Sequence, residues 1–292
     1  MKYGPLVFLA ALFALSLSWF GFVLVPQVEL GRMPQGTNLV TQQLYPLARS
    51  GQAHQGAEVY RANGCFYCHS QQIGQSGTVC NLILTEAGTN RTALANALVL
   101  VDPSFAKTNV IEFLSSLPQT VLHGVDRTTA DNAAKALKDA GAKRVVEIIP
   151  VGADIARGWG KRHSVAADYV YDWPVMLGSQ RIGPDLANIG VRRADANWEL
   201  RHLYEPKSEV QGSMMPSFKY LFEVRKIGRV PSVDALQVSG GAPKDGFEIV
   251  PKPEARQLVA YLLSLQSDAP LYEAPLSAPA PAAPSTNSAA TK

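Results

Sequence analysis

Cys65, Cys68 and His69 lie in the stretch GCFYCHSQQ, residues 64–72, and spell C-x-x-C-H. No other feature of the chain constrains its fold as strongly, because this spacing is the attachment signature of a c-type haem. Two thiols three residues apart on one helical turn can each add to a haem vinyl group. The next residue then swings beneath the ring, where its imidazole can ligate the iron. Two other uses of the spacing were weighed. A redox dithiol calls for a βαβ context, and none surrounds the motif. A zinc site calls for a second pair of soft ligands, and the only other cysteine is Cys80. Cys80 reads as a small buried residue.

The second constraint is PLVFLAALFALSLSWFGFVLVP, residues 5–26, which carries no charge. At about 1.5 Å per residue this run can cross about 30 Å of hydrocarbon. A secretory signal would have a shorter apolar region and a small-residue cleavage site, and an uncleaved single-span anchor over residues 1–30 is the favoured expectation. Lys2 ahead of the run keeps the N-terminal side cytoplasmic by the positive-inside tendency. The rest of the chain, and a covalently attached haem, would then lie outside.

With 292 residues, one to three domains are expected. An apolar fraction of 47% supports true cores. The net charge of +3, with no basic run, points away from nucleic acid.

Residues 27–50 read as a polar connector, and GAEVYRANGC from Gly56 as a short helix with Val59 and Tyr60 inward. Residues 80–149 have a different character. CNLILT, QTVLHGV and KRVVEII read as strands, and RTALANALVLV and AKTNVIEFLSSL have helical spacing. TTADNAAKALKDAGA is a helix that Thr128 or Thr129 would cap, with Gly141 at its C-terminal end. The order is β-α-α-β-α-β, an α+β unit whose charged residues form a solvated face. Residues 150–267 return to haem-protein character within a mainly α fold and end in the amphipathic helix PEARQLVAYLLSLQS, with Leu258, Tyr261, Leu262 and Leu265 on one stripe. Residues 268–292 are Pro/Ala/Ser-rich and read as a disordered tail.

A haem iron also needs a sixth ligand or an open site. In MMPSF the methionine before proline lies in an extended loop that can lay a thioether over the distal face. Met215 is the first choice and Met214 its competitor. His/Met ligation raises the potential and closes the iron. In RIGPDL, residues 181–186, the Pro184 carbonyl is a natural acceptor for the second N–H of a metal-bound imidazole. Arg192 and Arg193 could pair with haem propionates, and either could equally be a solvent charge. His202, on the expected helix ANWELRHLYEP, reads as a surface residue or a propionate neighbour.

The stretches YPLARSGQAHQGAEVYRANGCFYCHSQQI, YVYDWPVMLGSQRIGPDLANIG and NWELRHLYEPKSEVQGSMMPSF together resemble the membrane-anchored mono-haem subunit of cbb3-type haem–copper oxidases. They make up about a quarter of the chain. The resemblance implies a class I cytochrome c domain over 31–79 and 150–267, and one covalently bound haem c with His69 and Met215 as axial ligands. It also implies a haem–copper catalytic subunit and a second cytochrome c subunit as partners, a donor cytochrome c, and placement in a bacterial inner membrane with the haem on the periplasmic side. Such a subunit transfers electrons and does no bond chemistry itself. The unit over 80–149 resembles the C-terminal domain of the bacterial ribosomal stalk protein, most closely in LPQTVLHGVDRTTADNAAKALKDAGAK. VDPSFAKTN stands where that family has its factor-binding turn, so the resemblance implies the fold and not the translation role. A freestanding tethered electron carrier and a haem-based ligand sensor are the other functional expectations.

Overall fold

The structure is a computed structural model, and it describes residues 3–30, 34–238 and 243–276. Its first element is an apolar helix, Gly4–Glu29, with an 18-residue window of mean hydropathy 2.3, none of it buried in the protein. This is a candidate membrane anchor, long enough to span about 30 Å of hydrocarbon. The helix continues past Pro26, the end of the uncharged run. It passes through a π-helical turn, Phe20–Leu24, and continues as Val25–Leu30. Pro26 has no N–H to give, and its ring crowds the carbonyl four residues back; a widened turn relieves both conflicts.

Beyond the anchor the expected connector contains a minimal antiparallel pair, Gly36–Thr37 with Leu44–Tyr45. The helix before the haem motif starts earlier than expected and spans Gly51–Ala62. It crosses the closing helix, Pro253–Ser264, at very short range. A Cβ on Gly56 would come within 1.9 Å of the Gln257 carbonyl oxygen, so only glycine lets the two backbones touch. Tyr60 and Tyr261 pack beside this crossing, with ring centroids 5.2 Å apart. Leu186, Ile189, Leu203, Phe218, Leu258 and Leu262 complete one buried core. The helix Ala196–Tyr204 lies where ANWELRHLYEP was expected. After Met215 comes a hairpin that the sequence pattern did not disclose, Phe222–Lys226 paired with Phe247–Pro251.

A second core belongs to a three-stranded antiparallel sheet with Gly77–Glu86 in the centre, flanked by Gln119–Val125 and Lys143–Val151. Helices Arg91–Val101, Val110–Ser115 and Arg127–Asp139 complete the β-α-α-β-α-β order. The expected helix over AKTNVIEFLSSL is shorter, because Pro103–Lys107 forms a separate 3₁₀ turn. The cap of the third helix is Asp126, which accepts from the Thr129 N–H, and not Thr128 or Thr129. Leu82, Leu84, Leu94, Leu98 and Leu137 fill this core, and Cys80 is buried. The unit begins with the central strand at Gly77 and ends with an outer strand at Val151, slightly beyond the expected 80–149.

The start of the expected tail is ordered. Leu39 N–H donates to the Pro270 carbonyl, Arg162 Nε donates to that of Ala269, and Leu271 and Ala274 are buried. These hydrogen bonds and the buried Ala269, Leu271 and Ala274 hold the segment, although its average composition resembles that of a disordered one. Residues 277–292 lie outside the described residues.

Candidate haem-binding site

Asn63 ends the first helix, and Gly64 takes a left-handed conformation, φ 67°, that turns the chain sharply. The motif then forms a tight 3₁₀ turn, Cys65–Tyr67, in place of the expected α-helical one. His69 N–H donates to the Cys65 carbonyl, and this brings both thiols and the imidazole to one side. Both cysteines are free and half-buried. Burial pushes the Cys65 thiol up to about 11. Burial also lowers the His69 pKa, which favours the neutral imidazole that a metal needs.

His69 Nδ1 lies 2.8 Å from the Pro184 carbonyl oxygen. A carbonyl can only accept, so Nδ1 carries the proton and Nε2 is free to ligate. Gly183 makes room for the ring: a Cβ there would sit 2.2 Å from His69 Cε1.

The loop around the histidine is clamped by two residues that the sequence reading passed over. Asp185, fully buried, accepts from Ser70 Oγ at 2.6 Å, from Gln72 N at 2.7 Å and from Ala187 N at 2.8 Å. Arg181 donates to Ser70 Oγ at 2.9 Å and to Asp154 at 2.9 Å. Gln71 is tied to the Tyr261 hydroxyl at 3.0 Å, and its carbonyl accepts from Tyr169 at 2.6 Å. The S-Q-Q that follows the motif is therefore held at every polar group that leaves water. A signal was present in the sequence: Arg181 and Asp185 flank Pro184 within RIGPDL.

Cys65, Cys68, His69, Ile182, Gly183 and Pro184 line one side of a cavity of ≈ 400 Å³. Trp198, His202 and the loop from Val210 to Phe218 complete the lining. Met214 and Met215 both belong to it, and the two differ in exposure. Met214 is 76% exposed, whereas Met215 is half-buried against the main core. Arg192 departs from expectation. It does not line the cavity, and its guanidinium donates to the Asp185 carbonyl at 2.6 Å. It braces the segment behind His69, where a propionate partner had been expected. Arg193 packs over Trp198, 4.4 Å from the ring centroid. Among the other histidines, His54 and His123 are exposed and His163 pairs with Gln75 at 2.9 Å. Among the described residues, no three His, Cys, Asp or Glu side chains gather as a metal cluster, which leaves the zinc reading without a donor set.

The residues present suit a haem. They supply two thiols, an imidazole with one free nitrogen, an apolar cavity and a thioether-bearing loop on the cavity wall. Such an arrangement defines a candidate haem-binding site. Residues 145–238 match the family described as cytochrome c oxidase, mono-heme subunit/FixO, over less than half of the chain. No curated protein matches the chain. The match supports a likeness to the mono-haem oxidase subunit, a family that implies a haem. It holds Gly183, Pro184, His202 and Met215 and does not include Cys65, Cys68 or His69.

Proposed function

We propose that this chain is a membrane-anchored mono-haem c-type cytochrome that passes electrons to the catalytic subunit of a cbb3-type terminal oxidase. One observation carries the reading. The haem-attachment motif and the family-matched stretch are independent signals in the sequence, and they meet at the His69–Pro184 hydrogen bond, on the wall of one cavity.

In this reading Cys65 and Cys68 hold the haem by thioether bonds, and His69 Nε2 is the proximal iron ligand. Met215 is the sixth, chosen over Met214 because it is the one packed inward. A haem with two protein ligands supplies reversible one-electron transfer and no open site for oxygen. The chain's own residues supply rigidity. Asp185, Arg181 and Pro184 hold the histidine side, and the apolar wall excludes water, so little has to move when the charge changes. The class I cytochrome c architecture, the catalytic and second cytochrome subunits as partners, a donor cytochrome c and the periplasmic side of a bacterial inner membrane belong to the same proposal. The sheet unit reads as an inserted module with no chemistry of its own.

Purification from native membranes in mild detergent, followed by reduced-minus-oxidised spectra with and without CO, tests this. Haem c and haem b bands together, with CO binding the haem b component, are expected. A lone haem c band indifferent to CO would instead make the chain a freestanding tethered carrier.

A further inference from the structure

One side chain on the cavity wall has no role in the reading above. His202 sits on the helix Ala196–Tyr204, one turn after Trp198, and both line the cavity. The two rings stack almost parallel, with centroids 4.7 Å apart and planes 9° apart. Arg193 packs over the same Trp198. The imidazole is therefore held in one orientation by an aromatic platform that is itself braced.

Its hydrogen bonding is incomplete. Nδ1 is buried and has no partner among the described residues. The groups that act on His202 do so by burial and by charge (His69, Glu209 and Arg193), and none of them is hydrogen-bonded to it. A half-buried imidazole with neither nitrogen paired is costly to keep unless a ligand completes it. A neutral ring has one N–H. Placed on the buried Nδ1, that proton would have no acceptor; placed on Nε2, it can serve a group in the cavity. A haem has two carboxylates that must be directed somewhere, and Arg192, the arginine expected to meet them, is engaged behind His69.

We propose that His202 donates its Nε2–H to a propionate carboxylate of the bound haem, with Trp198 as the platform that aims it. This rests on the haem reading of the preceding subsection. His202 is then a positioning residue for the cofactor and a setter of its potential, and not an iron ligand. A hydrogen bond from a fixed donor stabilises the ionised carboxylate and offsets part of its charge, which favours the reduced iron relative to an unpaired propionate.

The test uses the full-length haem-loaded protein in detergent, with His202→Phe and His202→Gln. Phenylalanine keeps the stack on Trp198 and removes both nitrogens; glutamine restores a donor. The readouts are covalent haem content, the spectroscopic signature of Met–iron ligation, and reduction potential as a function of pH. Expected for His202→Phe are unchanged haem content and unchanged Met ligation. Its potential should be lower at pH 8, and a rise on acidification should appear where the native protein is flatter, because the unsupported carboxylate now takes up a proton. His202→Gln should return most of the way. An unchanged potential and pH profile in His202→Phe would overturn the proposal. Loss of the sixth ligand with new CO binding would also overturn it, by making His202 the ligand. Absence of covalent haem from the native protein is a distinct outcome, in which the haem reading itself fails and this proposal with it.

Discussion

The molecule has two cores, and they are built in opposite ways. The sheet unit between Gly77 and Val151 closes on itself. Its apolar stripe is filled by Leu82, Leu84, Leu94, Leu98 and Leu137, and its ion pairs Arg127–Asp131 and Lys135–Asp139 are local, exposed and one helical turn apart. The helical region around the cavity is held by partners far apart in sequence. His69 meets Pro184, Ser70 meets Asp185, and the Tyr45 hydroxyl donates to Asp168 at 2.7 Å. Among the described residues, the buried polar atoms without a partner (Tyr60 Oη, Asn188 Oδ1, Glu199 Oε1 and His202 Nδ1) all lie in that region. A self-satisfied unit needs nothing from outside. A region with unfilled polar demand and a cavity is organised around something it binds.

The comparison predicts that heating the haem-loaded chain gives two transitions, and that mutations move them separately. The largest shift is expected from Arg162→Met. Arg162 makes two contacts to Asp168 and donates to the Ala269 carbonyl, with both charged groups out of water. Removing one partner of such a pair leaves a buried charge, at a cost of about 3–5 kcal/mol. Calorimetry should show the haem-linked transition falling and the other unmoved; a joint fall would mean that the two cores are one cooperative unit. In the sheet unit Leu82→Ala opens a cavity in a site with no exposure, for about 2–5 kcal/mol. Here the haem absorption should not change and only the second transition should drop. A disturbed haem spectrum would show that the sheet unit supports the pocket.

The same contrast explains what could be read from the sequence. The sheet unit was legible almost element by element, because each element announces itself by local periodicity. Ala130, Ala133, Ala134 and Leu137 form the buried stripe of one helix. The misread details were local: the helix over AKTNVIEFLSSL is interrupted by a 3₁₀ turn, and Asp126 competes with two adjacent threonines of similar chemistry for the cap. Around the cavity the motifs and the helices Ala196–Tyr204 and Pro253–Ser264 were legible, and the loops between them were not. The stretch from Gly158 to Asn188 has little regular structure, and its order comes from hydrogen bonds such as that from Arg181 to Ser70, which leave no period in the chain. Arg192 shows the limit well: an arginine near a haem motif can serve a propionate or a carbonyl, and composition does not separate the two.

Glu199 sharpens the comparison through pH. It is buried on the helix that carries His202, and burial raises its pKa to about 7, against the pull of Arg193 and Arg192. Its ordinary value is 4.5. Between these two values the folded chain keeps a proton that the unfolded chain has released, so stability is fully present below pH 4.5 and falls as pH rises toward 7. The full effect is on the order of 3 kcal/mol. Glu199→Gln should remove this slope from the haem-linked transition and leave that region more stable at pH 8 than the native protein. A slope of the same size in the variant would assign it to another group.

The smallest expected effect tests whether the sheet unit obeys purely local rules. Asp126 Oδ1 accepts from the Thr129 N–H at 3.0 Å and Oδ2 from its hydroxyl at 2.6 Å, all of it exposed. Both contacts hold the carboxyl below its usual range. Losing an N-cap of this kind costs about 0.5–2 kcal/mol, independent of any packing. Asp126→Ala should therefore lower the second transition slightly, and Asp126→Ser, which keeps a capping oxygen, should recover most of the loss. Because the contacts need the ionised carboxylate, the native advantage over the alanine variant should shrink as acid protonates Asp126. If instead the alanine variant also lowered the haem-linked transition, the helix Arg127–Asp139 would be coupled to the cavity, and the division into a self-contained core and a ligand-organised one would no longer hold.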